Sequence, residues 1–280
     1  MSRHLVVVDG PNFVMRAYHG LATNRWADDE ASGVRIMLLS LLKNHRPTHL
    51  VVANDSSGPS FRHELYPEYK IQRKDRPGPT PQELMSWLLP HFESWGVPCV
   101  SEEGYEADDV IATIVGRARR AGTRVTIVSN DSDVFQLLDE GVLVVRHLPS
   151  KGLQTVDVAE FTHKYGIRPD QFADFKALVG DRSDNIPRVA ELLPSGRTKG
   201  MTPRIASNLL RRYATLEGIF ENLSFLKAEI GSWLLSSRER VFFFRDLVRL
   251  RDDLPLARLD PRMSSVARFR LSLPFVEDGR

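Results

Sequence analysis

Short apolar runs that alternate with helical patterns constrain the fold of this 280-residue chain more than any other feature. Four runs have the length and β-branched composition of buried strands, and Val97–Val100 predicts a shorter one. The four runs are His4–Val8, His49–Ala53, Arg124–Val128 and Val142–Val145. Strands that alternate with helices are typical of a mostly parallel sheet covered by helices on both faces. The sequence therefore predicts an α/β fold.

The most regular helical pattern lies at residues 106–121, where apolar residues recur at intervals of three and four. Gly122 follows it, at the position where a glycine commonly ends a helix. Other predicted helices cover 34–42, 81–95, 169–179, 202–213, 224–235 and 238–249. After about residue 165 no strand pattern remains. We therefore predict an α/β domain at 1–165 and a smaller helical lobe at 166–280.

Several classes of protein are excluded by composition. The single cysteine, Cys99, cannot form an internal disulfide and fits a reducing compartment. The apolar run at the N-terminus is too short for a signal peptide. No stretch approaches the 18 or so apolar residues of a membrane span. We expect a monomeric, cytoplasmic protein from a bacterial cell or a phage-infected host, with no membrane segment.

Three aspartates follow three of the predicted strands. Asp9, Asp55 and Asp131 each lie just past the end of a run. The carboxyl ends of parallel strands meet at one edge of an open α/β sheet, where ligands bind. One such aspartate alone would be interpreted as a loop residue. Three of them predict a shared acidic pocket.

Further acids cluster at element ends. Glu106, Asp108 and Asp109 open the most regular helix, where one or two acids would simply complement the helix dipole. Three within four residues repel each other and call for a positive group. Asp133 follows Asp131 at a spacing of two. Asp181 and Asp184 follow a predicted helix, where Asp184 or Asn185 could alternatively cap the next helix.

All nine acids offer hard oxygen ligands, which select Mg²⁺ or Mn²⁺ rather than zinc. Without cations, several of them would have to stay protonated. Two cations would balance the charge and permit two-metal hydrolysis of a phosphodiester. The chain has 38 Lys and Arg against 36 Asp and Glu. Setting the nine acids aside leaves an excess of about eleven basic residues, which suits a polyanionic substrate.

Five segments together resemble a known family. They are LVVVDGPNFVMRAYHG (5–20), VVANDSSGPSFRHELYPEYKIQR (51–73), GYEADDVIATI (104–114), VSNDSDVFQLL (128–138) and YGIRPDQFADFKALVGDRSDNIP (165–187). In order and spacing they resemble the 5′ nuclease domain of bacterial DNA polymerase I, the free-standing bacteriophage 5′ nucleases and the wider flap endonuclease family. The resemblance implies a PIN-like 5′ nuclease fold, with an arch segment at about 66–90. It also implies a helix-hairpin-helix-type (H3TH) element at about 180–213 in the helical lobe.

The resemblance also implies roles for individual residues. One metal site would use Asp55, Glu106, Asp108 and Asp109 with Asp9 assisting, and a second would use Asp131, Asp133, Asp181 and Asp184. Lys70 would place a positive charge near the scissile phosphate, and Arg73 would hold phosphate oxygens. Arg16 would bind phosphate, and Tyr18 or Tyr69 would stack on an unpaired base. From the residues alone, the basic side chains could equally be solvated surface, and the tyrosines core residues with a wet hydroxyl.

Two segments depart from the family pattern. The stretch between Lys70 and Pro81 is too short for a long arch helix, so we predict a loop that orders around single-stranded DNA. The family's Gly-x-Gly hairpin, which commonly binds K⁺, is replaced around Gly200 and Thr202 after an insertion of about nine residues. Because Thr202 lacks the backbone freedom of glycine, a K⁺ site is in doubt. We expect side chains to bind duplex phosphates there instead: Arg188, Arg197, Lys199 and Arg204.

The sequence therefore predicts a structure-specific 5′ nuclease. It would act as a flap endonuclease and 5′-3′ exonuclease on DNA with 5′ flaps, nicks or free 5′ ends, using two or more Mg²⁺ or Mn²⁺ ions. One alternative is a nuclease that removes RNA primers from an RNA–DNA hybrid, as an RNase H does. The other is a DNA-junction binding protein whose acids no longer catalyse. The sequence does not distinguish a bacterial from a viral origin.

Overall fold

A sheet of six strands, counted over the residues that the structure describes, forms the centre of the chain's first half. The computed structural model describes residues 3–20, 31–73, 77–148, 152–192, 198–256 and 265–268. The strands are β1 (His4–Asp9), β2 (His49–Ala53), β3 (Cys99–Val100), β4 (Arg124–Val128), β5 (Val142–Leu148) and β6 (Gly152–Val156). Their order is β3-β2-β1-β4-β5-β6, and only β6 pairs antiparallel with its neighbour. The predicted mostly parallel sheet is confirmed.

Helices cover both faces of this sheet. They are α1 (Gly10–Gly20), α2 (Ser32–His45), α3 (Phe61–Leu65), α4 (Pro81–Ser94), α5 (Ala107–Arg120) and α6 (Val158–Tyr165). Successive side chains of a strand point to opposite faces, so Val7 lies in one buried cluster and Val8 in another. Ile111 of α5 packs with Val7, whereas Leu38 of α2 and Leu88 of α4 pack with Val8. The predicted covering of both faces is therefore also confirmed.

One strand of the sheet was not expected from the sequence. β6 has the sequence GLQTV, and only its last residue is fully buried. It pairs with β5 alone, so it lies at the sheet edge. A mostly exposed edge strand needs few apolar residues, so it gives little signal in the sequence.

The second half consists mainly of helices. They are α7 (Phe172–Val179), α8 (Pro203–Tyr213), α9 (Leu216–Glu221), α10 (Ala228–Ser236) and α11 (Arg238–Val248). Buried residues of α7 and α11, such as Leu178 and Phe244, belong to the same cluster as Ile111 of α5. The helical half therefore shares a core with one face of the sheet. The proposed division at residue 165 stays a prediction.

The expectation that strands end at about residue 165 is wrong. Between α7 and α8 the chain forms a small hairpin of β7 (Ala190–Leu192) and β8 (Thr198–Gly200). A side chain at Gly200 would lie only 2.4 Å from the carbonyl oxygen of Val189, so glycine permits the close pairing. The inserted residues thus build a β-hairpin within the predicted H3TH segment. Two three-residue strands are too short to show a period in the sequence.

Thr202 does not replace a glycine of a tight turn. Its φ is −104°, and its hydroxyl accepts a hydrogen bond from the Ile205 amide at 3.3 Å. It is the N-cap of α8, with Pro203 in the first turn, as the sequence predicts.

The predicted arch segment contains a short 3₁₀ helix, Ile71–Arg73, and α4. Residues 74–76 lie outside the described residues. In the part of the chain that the structure describes, no helix has the length and apolarity to cross a membrane.

Candidate metal centre

The structure brings the three strand-end aspartates together. β2, β1 and β4 are parallel neighbours, so Asp9, Asp55 and Asp131 follow the same edge of the sheet. Asp9 ends β1 and accepts hydrogen bonds from the Ser129 hydroxyl at 2.5 Å and the Asn12 amide at 3.1 Å. The close packing of β1 on β2 needs glycine at the next position. A Cβ on Gly10 would lie 2.7 Å from the carbonyl oxygen of Ala53.

The first turn of α5 adds further acids to this edge. Asp55 accepts a hydrogen bond from the Ala107 amide at 2.8 Å, which fixes the helix start against the end of β2. Asp108 directs a buried oxygen, Oδ1, that has no hydrogen-bond partner among the described residues. Asp108, Asp131 and Asp133 offer oxygens that all lie within 4.8 Å of one another. An unpaired buried carboxylate oxygen amid other carboxylates is the arrangement that a divalent cation would satisfy.

Burial and mutual repulsion raise the pKa of several of these acids. Burial, outweighing hydrogen bonds from Ser129 and Asn12, raises the pKa of Asp9 to about 7. Burial and then the charges of Asp131 and Asp9 raise the pKa of Asp108 well above its ordinary value. Burial, more than any nearby charge, also raises the pKa of Asp55 and of Asp184. The carboxylates of the pocket thus repel one another, and a bound cation would reduce this repulsion.

Cation binding should therefore depend on pH. A carboxylate must lose its proton to bind a metal, so affinity for Mn²⁺ should rise through pH 7, the region where Asp9 titrates. Binding should release protons at pH 6.5 and few at pH 8.5. Without metal, the raised pKa of Asp9 means that the folded state holds the proton more tightly. Its contribution to stability should fall as pH rises from about 4 to 7.

Titration calorimetry with Mn²⁺ in buffers of different ionisation enthalpy would measure the released protons. Urea unfolding of the metal-free protein between pH 5 and pH 8 would measure the stability. Equal Mn²⁺ affinity at pH 6 and pH 8, with no proton release, would contradict the prediction.

Two predicted second-site acids already have a protein counter-ion. Lys176 of α7 is 5% exposed, and its ammonium forms an ion pair with Asp133 and another with Asp181 at 2.6 Å. Burial would raise the pKa of Asp181, but the charge of Lys176 outweighs it and holds that pKa below the ordinary value. The structure therefore places Asp133 and Asp181 around a lysine, next to the group formed with Asp131 and Asp108.

Asp109, a predicted metal ligand, has protein partners on both of its carboxylate oxygens. Its side chain is fully buried, and both oxygens accept from the guanidinium of Arg62, at 2.5 and 2.8 Å. The amides of Glu106 and Arg251 donate to the same carboxylate, at 3.4 and 2.9 Å. All its acceptor positions are thus used within the protein. We propose that Asp109 has a structural role.

Lys70 lies inside the pocket. Its ammonium is 3.1 Å from Oε2 of Glu106, which also accepts from the Tyr69 hydroxyl at 3.0 Å and from Arg62 at 3.4 Å. Burial would raise the pKa of Glu106, but the charges of Lys70 and Arg62 outweigh it and lower that pKa to about 2. Glu106 is therefore ionised and carries paired charge before any cation arrives.

The structure separates the two tyrosines that were expected to stack on DNA bases. Tyr69 is only 3% exposed, so it cannot stack on a base, and its hydroxyl bonds to Glu106. This burial favours the core alternative for Tyr69. Tyr18 is half-buried on α1, in edge contact with the His19 ring at 5.2 Å. Its hydroxyl lies near Gly78, within the predicted arch segment.

The predicted basic residues lie in several places. Arg16 is half-buried, with its guanidinium 5.2 Å from the centre of the Phe13 ring. Arg73 pairs with Asp184 at 2.9 Å, and Lys199 pairs with Glu229 at 2.5 Å. Arg188 is exposed. A cleft between α6 and α8 is lined by Arg204 together with His163, Lys164 and Arg211. Arg197 lies outside the described residues.

Family models match both halves of the chain. The model of the 5′-3′ exonuclease N-terminal, resolvase-like domain matches residues 4–166. The model of the 5′-3′ exonuclease C-terminal SAM fold matches residues 167–267. The chain belongs to the 5′-3′ exonuclease family.

Curated members of the 5′-3′ exonuclease family that resemble this chain are much longer. DNA polymerase I of Rhizobium leguminosarum is 34% identical over 273 residues, which cover 90% of this chain and 25% of that protein. The thermostable DNA polymerase I of Thermus aquaticus is 36% identical over 256 residues, covering 90% of this chain and 29% of that protein. The chain therefore spans just over a quarter of the length of these relatives.

Solved structures share the fold of this chain. A T5 5′-exonuclease with bound zinc matches with a TM-score of 0.72 and 25% identity, over 89% of this chain and 90% of that one. A T5 D15 protein co-crystallised with metal ions matches with a TM-score of 0.71 and 25% identity, over the same shares. The catalytic core of Rad2 in complex with DNA shares the fold alone, with a TM-score of 0.55 and 14% identity.

Two buried basic side chains of this exonuclease-family chain, Arg62 and Lys176, were not predicted from the sequence. Lys176 gave a signal, because it interrupts the apolar helix Phe172–Val179, whose buried side it shares with Phe172 and Phe175. A lysine among buried apolar residues requires a carboxylate partner. Arg62 lies in a short helix of five residues and gave no comparable signal. Its partner lies 47 residues away in the sequence.

Proposed function

We propose that the chain is a divalent-metal-dependent nuclease that hydrolyses DNA at 5′ flaps and free 5′ ends. The observation that carries this proposal is the buried oxygen of Asp108, which lacks a hydrogen-bond partner and lies beside Asp131 and Asp133. Lys70 lies within the same pocket. Acids and a fixed cation in one pocket suit the cleavage of a phosphodiester, and the family and its metal-bound T5 members support it.

The acids that would hold Mg²⁺ or Mn²⁺ include those that no lysine or arginine pairs with among the described residues: Asp9, Asp55, Asp108 and Asp131. Asp184 would join them, because its partner Arg73 is partly exposed. Cations held by these acids would supply Lewis-acid activation of water and electrostatic stabilisation of the phosphate. Three acids would keep their lysine partners and lie at the edge of the cation site: Asp133, Asp181 and Glu106. This division of the nine acids differs from the groups of five and four acids that the resemblance implies.

Lys70 and Arg73 would act on the phosphate itself. Burial would lower the pKa of Lys70, but the charges of Tyr69 and Glu106 outweigh it and hold that pKa well above its ordinary value. Lys70 therefore stays charged throughout the working pH range and offers a fixed positive charge to a phosphate oxygen. Arg73 is partly exposed, 38% of its side chain, and can exchange Asp184 for a phosphate.

A cleavage assay tests the proposal. We expect the wild type to cut a 5′-labelled flap in Mg²⁺, and Asp131→Ala to bind the flap without cutting it. Nicked DNA and an RNA–DNA hybrid of the same sequence would rank the substrates, and faster cleavage of the hybrid would favour the primer-removal alternative. Binding in EDTA without cleavage in Mg²⁺ or Mn²⁺ by the wild type would leave only a DNA-binding function.

The basic hairpin and α8 should bind duplex phosphates. Replacing Arg197, Lys199 and Arg204 by alanine should weaken binding of duplex DNA and flatten its salt dependence, by about three in the slope of log K against log salt. Fluorescence anisotropy between 50 and 300 mM KCl measures both. A matched control is Arg119→Ala, at the end of α5 remote from the acids. Unchanged affinity of the triple variant at all salt concentrations would contradict this prediction.

A further inference from the structure

Two non-glycine residues, Lys70 and Asn185, adopt left-handed backbone conformations. They lie where the arch segment meets the loop that carries Asp181 and Asp184. Lys70 has a φ of 53° and Asn185 a φ of 60°. This conformation costs free energy for any residue other than glycine, and least for Asn. The Lys70 amide donates to the carbonyl of Asp184 at 3.3 Å, so the two strained turns are in direct contact.

The strained turn at Lys70 aims its side chain into the pocket. The chain folds back twice within residues 66–73, because the Tyr69 amide donates to the Tyr66 carbonyl and the Ile71 amide to the Glu68 carbonyl. The turned backbone directs the Lys70 ammonium to Glu106 at 3.1 Å. An ordinary extended or helical φ at this position would send the side chain elsewhere. Something must therefore hold the turn in place.

Two amide side chains hold it from either side. The Asn185 side chain donates to the Glu68 carbonyl at 3.0 Å, within the turn that carries Lys70. The Gln72 side chain donates in the opposite direction, to the carbonyls of Arg182 at 2.5 Å and Ser183 at 3.1 Å. All three bonds join segments more than 100 residues apart in the sequence. They link the basic turn to the loop that carries Asp181 and Asp184.

We infer that Gln72 and Asn185 form an amide clasp that positions Lys70 and Arg73 over the acids. Neither is a catalytic residue, because the side chains of Asn185 and Gln72 donate to main-chain carbonyls and not to the carboxylates. The clasp joins the turn that would contact the phosphate to the loop that would contact the cations. A displacement of about 1 Å between such groups can slow a reaction about 100-fold. This inference rests on the proposed function.

Asn185→Gly is the cleanest test, because glycine adopts the left-handed φ without strain and loses only the donor. Gln72→Met removes the second donor with little change in shape, and Gln72→Lys restores a donor. We expect Asn185→Gly and Gln72→Met each to slow single-turnover cleavage of the flap about 10-fold. DNA affinity in EDTA and Mn²⁺ affinity should stay within about twofold. Gln72→Lys should recover most of the rate.

Amide hydrogen exchange of the metal-free protein gives a readout that does not depend on activity. The amides of Lys70, Ile71 and Arg73 should exchange faster in Asn185→Gly and Gln72→Met, while those of α5 stay protected. Asn222→Gly is the matched control. Asn222 also donates to a main-chain carbonyl, that of Gly218 at 2.8 Å, but it lies at the end of α9. It should change neither the rate nor these amides.

The outcomes separate the inference from the proposed function. Wild-type rates and wild-type exchange in both clasp variants would overturn the inference, even if the flap is cut normally. An equal loss of rate in Asn222→Gly would also overturn it, since the effect would then be general destabilisation. If the wild type cuts no substrate, the proposed function fails, and the clasp loses its catalytic meaning whatever the exchange shows.

Discussion

Asp108→Asn should slow cleavage of a 5′ flap by at least about 1,000-fold, which corresponds to about 4 kcal/mol of transition-state stabilisation. Asn has nearly the same shape as Asp, so packing at the start of α5 should be retained. The loss would come from the carboxylate whose buried oxygen has no partner in the protein. Removing it deprives a cation of the ligand that also faces Asp131 and Asp133.

The same substitution should stabilise the metal-free protein. Burial and the charges of Asp131 and Asp9 raise the pKa of Asp108, so its ionised form is unfavourable in the folded state. A neutral Asn removes this repulsion at pH 8, where the midpoint of thermal unfolding should rise. The further increase that Mg²⁺ gives to the wild type should largely disappear. A purely structural carboxylate would show the opposite, a lower midpoint without metal.

Differential scanning calorimetry with and without Mg²⁺, beside single-turnover cleavage, measures both effects. Asp139→Asn is a suitable control, because Asp139 is partly exposed and pairs with Arg119 away from the pocket. Its cleavage rate should equal that of the wild type. If Asp108→Asn cuts the flap at a tenth of the wild-type rate or faster, the central cation ligand has been assigned wrongly.

The sheet and the acidic edge could be predicted from the sequence because local patterns determine them. A buried parallel strand is a run of β-branched residues, and the acid after it must lie at the ligand-binding edge. Asp9, Asp55 and Asp131 follow from this rule alone. The start of α5 was equally clear, because a regular apolar period begins there and Glu106 is its N-cap residue.

The partners of the acids could not be predicted, because they come from distant segments. Periodicity places Glu106 and Asp109 on one face of α5. It does not show that Arg62 pairs with Asp109 and Lys70 with Glu106. Tyr69 has the same difficulty. The resemblance implies a base-stacking role for it, and only the packing around it shows that the ring is buried. Which acids remain for a cation depends on these long-range pairs.

Arg62→Met should destabilise the protein by about 3–5 kcal/mol, because it leaves the charge of Asp109 buried and uncompensated. Arg62 is 2% exposed and Asp109 is fully buried. The guanidinium also donates to the carbonyls of Leu247 at 2.8 Å and Arg249 at 3.5 Å, which lie at the end of α11. Its loss would therefore loosen the contact between α11 and α5, the helix that carries Asp108.

The double variant Arg62→Met with Asp109→Leu should recover part of this loss, since it removes the unpaired charge with its partner. Recovery should stay incomplete by about 1–3 kcal/mol, because the carbonyl of Leu247 and the amide of Arg251 lose their partners. Urea unfolding of the single and double variants forms the cycle. Arg168→Met, which breaks an exposed pair with Asp170, should cost less than about 1 kcal/mol.

Mn²⁺ affinity of the double variant decides what Asp109 does. If Asp109 only anchors α5 to Arg62, the folded double variant should bind Mn²⁺ within about threefold of the wild type, since Asp9, Asp108 and Asp131 remain. If Asp109 were a direct ligand, the affinity of the double variant for Mn²⁺ should fall more than 100-fold. Its stability should still recover, because Asp109→Leu removes the unpaired buried charge. A structural role therefore predicts recovered stability with retained Mn²⁺ affinity, and a ligand role predicts recovered stability with lost Mn²⁺ affinity. A large loss of Mn²⁺ binding with recovered stability would return Asp109 to the cation site.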